Sequence, residues 1–153
     1  MSVPTQYIGL WKRVGIWRRD GSSDETSAVY WFQGEHYHID IRMLPQGPTG
    51  FAGTTVVAGA RCEWQSAFAY PAPSGELDAG IMRFDADDLL HEDGIDGSYQ
   101  EDWVKIADGP VREQRSPDGV FTLESADWSA SAQAGAIALR HRGELVAALG
   151  AAA

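Results

Sequence analysis

Cysteine is nearly absent: Cys62 stands alone in 153 residues. One thiol excludes an internal disulfide framework and any cysteine-built zinc site. No apolar run approaches the roughly 18 residues of a membrane-spanning helix, so membrane association is not expected. Basic residues are scarce, with 12 Lys and Arg against 22 Asp and Glu, a formal net charge of −10. A field of that sign repels phosphate backbones, so nucleic acid is not an expected partner. No Gly-x-Gly-x-x-Gly, no phosphate-binding P-loop and no Gly-x-Ser-x-Gly elbow occurs, which removes the usual nucleotide sites and serine hydrolysis. The opening Met1-Ser2-Val3-Pro4 has no charged segment leading into an apolar one. No signal peptide is therefore expected, and the location implied is cytoplasmic.

What remains is dense in aromatics and turns. Six Trp, five Tyr and five Phe are interspersed with 17 Gly and 7 Pro. The prevailing period is two. Short segments rich in Trp, Tyr, Phe, Val and Ile alternate with Gly, Asp and Pro. Strands are predicted at 7–19, 26–33, 36–43, 54–58, 61–70, 77–84, 88–92, 98–106, 121–125 and 136–149. The last of these folds back at Arg142-Gly143, and Asp20-Gly21 and Gln33-Gly34 supply further turns. Such even spacing predicts an all-β chain, a sandwich or a closed antiparallel barrel of about 8–10 strands, one domain over 1–153. Closure is attractive because it removes exposed strand edges. The alanine-rich segment 126–153 is read as a strand hairpin or a short helix. From Glu76 to Asp102 ten acidic residues accompany one basic residue, Arg83, which reads as a solvated rim of turns. A calcium loop at Asp85, Asp87 and Asp88 fails because Leu89 sits where an oxygen ligand belongs.

Gly9-Leu10-Trp11 opens the first strand. The wider pattern comprises Gly9 to Arg13, Asp40-Ile41-Arg42, Cys62-Glu63-Trp64, Gly80 to Phe84, Asp87 to Leu90 and Tyr99 to Trp103. This order resembles a group of small bacterial calycin-like proteins, relatives of the lipocalins, over roughly residues 9–106. The resemblance implies a calycin-like β-barrel with an internal cavity and no particular activity. It also implies that Trp11 plugs one end of the barrel, with Arg140 or Arg142 lying across it. The lipocalins' second motif and disulfide pair are missing, which argues against extracellular lipid carriage.

Alternation on the third strand puts Tyr37, Ile39, Ile41 and Met43 on one face and His36, His38, Asp40 and Arg42 on the other. Either the apolar set fills the barrel, the default for a small one, or the polar set lines a wet cavity. In the second case Arg42 needs Asp40 as a partner and can present its planar fork to a carboxylate or enolate. Tyr99, Glu101, Trp103 and Lys105 share a face of a later strand, where polar groups among aromatics suit a flat ligand. Trp31, Trp64 and Phe68 are candidate walls or plain core. The leading expectation is binding of a small hydrophobic or aromatic molecule by Trp31, Asp40, Arg42, Trp64, Tyr99 and Trp103. The alternative is a cofactor-free isomerase, cyclase or lyase acting on a polyketide-like or phenolic substrate. There His38 and Glu101 are the acid/base candidates. A barrel with a packed interior, serving as an interaction module, is a third reading. His36-Tyr37-His38 lacks the third ligand a metal site needs, so no metal and no cofactor is expected. Cys62 reads as a buried, inert thiol. Monomer and homodimer both remain open.

Overall fold

A computed structural model describes residues 2–73 and 75–153. A one-turn 3-10 helix, Thr5–Tyr7, precedes nine strands. These are β1 (Gly9–Arg18), β2 (Ser23–Asp24), β3 (Ala28–Gln33), β4 (Tyr37–Leu44), β5 (Gly47–Ala58), β6 (Arg61–Tyr70), β7 (Ala79–Ala86), β8 (Leu89–Gly94) and β9 (Tyr99–Asp108). All pairings are antiparallel, and β9 returns to pair with β1 from Gly9–Asp108 to Arg18–Tyr99. Eight strands thus close into an antiparallel barrel, with the short β2 as an added rung on β1. Among the described residues no helix is long and apolar enough to cross a membrane.

The barrel ends at Asp108. A second sheet follows: β10 (Arg112–Arg115), β11 (Phe121–Glu124), β12 (Trp128–Gln133), β13 (Ala136–His141) and β14 (Glu144–Gly150), a simple antiparallel meander. The alanine-rich tail is therefore strand. Alanine favours helix, but Gly135 and Gly143 take positive φ at the two hairpins and set the direction reversals.

The second sheet explains which face of β1 and β3–β6 points inward. Leu10, Phe32, Ile39, Ala52 and Phe68 follow one another across β1, β3, β4, β5 and β6 on the outer surface. The second sheet answers with two rows: Phe121, Ala132, Ile137 and Leu149, then Leu123, Ala130, Leu139 and Ala147. These residues form one buried cluster. Alternating large and small side chains lets the two sheets approach closely. Burying each large side chain contributes about 1.5–3 kcal/mol. Glu113 of β10 fastens the junction. Its carboxylate accepts from the backbone N–H groups of His36 and Tyr37 at 2.9 and 3.0 Å and meets His36 Nδ1 at 2.6 Å.

This overturns the default reading of the third predicted strand. Tyr37, Ile39, Ile41 and Met43 pack outward under the second sheet, while His38, Asp40 and Arg42 point into the barrel. An apolar face is buried in either arrangement, so alternation alone does not say which side is the lumen. A second correction concerns β5, which begins at Gly47 rather than at residue 54. Pro48 stands at its start, where a missing N–H is tolerated, and Gly50 admits Ile137 and Leu149 closely.

Candidate functional site

One end of the barrel is shut. Val3 and Tyr7, from the segment ahead of β1, belong to the inner core together with Trp11. The Trp11 indole donates to the Tyr7 carbonyl at 2.8 Å. The cation over Trp11 is Lys105 of β9, its Nζ 5.0 Å from the ring and donating to the Gln6 carbonyl at 2.9 Å. Arg140 and Arg142 do not take this place. Both lie on the second sheet, Arg140 donating to the Gly143 carbonyl and Arg142 facing Asp127.

Beside this plug, Gln33, His38 and Thr55 form a sealed polar chain. The Thr55 hydroxyl donates to Gln33 Oε1 at 2.8 Å, so it accepts from His38 Nδ1 at 2.9 Å. The Trp31 indole also donates to Gln33 Oε1, at 3.0 Å. His38 is thus the Nδ1–H tautomer with a bare Nε2. Burial pushes its pKa down to about 3, so the ring stays neutral. Cys62 is wholly buried, and burial pushes its thiol pKa well up.

The middle of the barrel is crossed by charge. Arg13 Nη1 pairs with Glu101 at 3.1 Å, both side chains 3% exposed or less. Arg42 grips Asp40 through Nε at 2.9 Å and Nη2 at 3.3 Å. Glu92 accepts from the Tyr99 hydroxyl at 2.7 Å and the Trp103 indole at 3.3 Å. Burial raises the Glu92 pKa well above the carboxylate range, and the neighbouring Glu101 charge adds to it. The same burial lifts Asp40, against the pull of Arg42. Burial also opposes charge on Arg42, but Asp40 and Glu101 outweigh it and hold the guanidinium firmly protonated. Two inward glycines make the space. A Cβ on Gly80 would lie 2.7 Å from the Glu92 side chain, and one on Gly94 2.5 Å from the Tyr99 ring.

The eight candidate site residues lie in this interior, whereas Phe68, the other candidate wall, packs outward under the second sheet. Trp31, Asp40, Arg42, Trp64 and Trp103, with Phe51, Asp78 and Glu92, wall one small cavity. Tyr99 bounds the mouth, Glu101 is held on Arg13, and His38 lies in the sealed chain apart. The hollow centre implied by the resemblance is nearly filled: the free space is about 10 Å³, room for about one water molecule. A roomier pocket lies at the mouth, about 550 Å³, where β6 and β7 part after only three paired residues, Arg61, Cys62 and Glu63. Its lining includes Ser66, Ala69, Leu77, Ile95 and Tyr99, and it shares Phe51, Trp64 and Asp78 with the inner cavity.

Sequence reading missed Arg13, Asp78 and Glu92. Arg13 lies two residues from Trp11 and so shares its face. Asp78, Glu92 and Glu101 belong to the acidic stretch read as a solvated rim, yet Glu92 and Glu101 are buried and Asp78 half-buried. The alternation of Leu90, Glu92 and Gly94 was the available signal.

No protein-family model matches the chain, and no curated protein matches it significantly. A solved structure does: a lipocalin-like protein from Bacteroides uniformis superposes with a TM-score of 0.51 at 16% identity, over 66% of this chain and 99% of that one. The fold is thereby lipocalin-like.

Proposed function

We propose that the protein binds a small hydrophobic or aromatic molecule at the open mouth of its barrel, not in the filled centre. The observation that carries this is that the 550 Å³ mouth pocket and the inner cavity share Phe51, Trp64 and Asp78 as walls. A pocket of that volume with aromatic walls and a few polar groups suits a compact ligand. Trp64 and Phe51 supply contact area, Leu77 and Ile95 line the rim, and Tyr99 and Asp78 orient polar atoms. Trp31, Trp103 and the Asp40–Arg42 pair form the floor. Catalysis at His38 or Glu101 is not favoured. The His38 ring has no exposed surface, and Glu101 is held on Arg13.

The test is titration with Nile red, a neutral flat dye whose emission rises in apolar sites. Ser66→Trp fills the pocket from its exposed rim. It is expected to abolish the emission rise while leaving unfolding free energy within about 0.5 kcal/mol of the parent. Undiminished binding by Ser66→Trp contradicts the reading.

A further inference from the structure

The inner cavity has aromatic walls, Trp31, Trp64, Trp103 and Phe51, and its polar atoms belong to Asp40, Asp78, Glu92 and Arg42. One positive group already sits there. The Arg42 guanidinium carbon lies 5.5 Å from the Phe51 ring centre, with Nε and Nη2 on Asp40. A cation over an aromatic face and against a carboxylate is doubly favoured. The Arg42 side chain is also 23% exposed, whereas that of Asp40 is 4% exposed, so the Arg42 side chain reaches solvent and the carboxylate is enclosed.

We propose that this is a cation seat, occupied in the free protein by Arg42 itself, and that its ligands are flat aromatic molecules bearing an amidinium, guanidinium or ammonium group that displaces Arg42. The proposal rests on the mouth-pocket reading and adds the chemistry of the ligand. Its logic is exchange of like for like. When Arg42 swings toward the mouth, a ligand cation takes over Asp40, and no buried charge is left without a partner. The vacated volume adds to the small cavity and joins it to the pocket outside. An anionic ligand has no such exchange. It would enter beside Asp40, Asp78 and Glu92, and two donors of Arg42, the guanidinium that lines this cavity among the described residues, are already committed to Asp40. The field points the same way: Asp40, Glu101 and Asp78 all favour positive charge where Arg42 sits.

Benzamidine, benzamide and benzoate share one flat shape and differ in charge. Calorimetric titration of the intact protein at pH 7.5 is expected to give benzamidine an affinity at least about tenfold above benzamide, with benzoate weakest. Asp78→Asn, at the half-buried edge, is expected to reduce the benzamidine preference severalfold. Two results overturn the cation seat and leave the mouth pocket standing: benzoate binding as tightly as benzamidine, or no benzamidine binding while Nile red still binds. Loss of all four probes overturns both. Ligand comparison on the parent protein needs no variant to fold.

Discussion

Asp78 is a carboxyl group whose environment opposes its charge. Burial raises its pKa from 3.8 to about 6, with Arg42 working against the shift and the charges of Asp40 and Glu101 adding to it. Because the folded-state value is the higher one, the native protein binds more protons than the unfolded chain between pH 4 and 6. Stability on this account falls as pH rises through that window, and the loss is complete by about pH 7. A displacement of this size corresponds to at most about 3 kcal/mol, and partial exposure of the group reduces that to roughly 1–2 kcal/mol. Asp78→Asn removes the titration. Urea unfolding of parent and variant from pH 4 to 8 is expected to show equal stability at the acid end. The variant then gains roughly 1–2 kcal/mol by pH 7. Glu92 and Asp40 are shifted in the same direction, so the informative quantity is the difference between the two curves. A difference that does not change with pH, or a variant that loses ground as pH rises, refutes the reasoning.

Two other substitutions probe the framework. Arg13→Met strands Glu101 in the barrel and is expected to cost about 3–5 kcal/mol by denaturant unfolding. Adding Glu101→Gln is expected to restore part of it, and a full sum of the two losses would argue against direct pairing. Glu113→Ala leaves the His36 and Tyr37 N–H groups without their acceptor and is expected to cost about 1–3 kcal/mol, read as a lower melting temperature. No change there would mean that apolar contact alone docks the second sheet.

Much of the barrel was legible because its strands are short and aromatic, with turns marked by Gly and Asp. The shared face of His38, Asp40 and Arg42 followed from alternation, as did that of Tyr99, Glu101 and Trp103. The direction of those faces was not legible. It depends on β10–β14, whose alanine and serine strands have weak β signal and become strands by packing on Phe32, Ile39 and Ala52. The buried role of Glu92 was hidden for a related reason. Alternation groups Glu92 with Leu90 and Gly94 but does not say whether that face is the lumen. Register alone does that: Glu92 stands opposite Met82 and Glu101, both inside.

Indole N–H resonances test the location of the ligand most directly. Trp64 and Trp103 line the cavity that meets the mouth, and Trp128 lies on the second sheet, stacked on His141. In a titration of the nitrogen-15-labelled protein with benzamidine, the Trp64 and Trp103 signals are expected to move together while that of Trp128 stays fixed. Movement of Trp128 with Trp64 and Trp103 unchanged would place the ligand outside the barrel and contradict it.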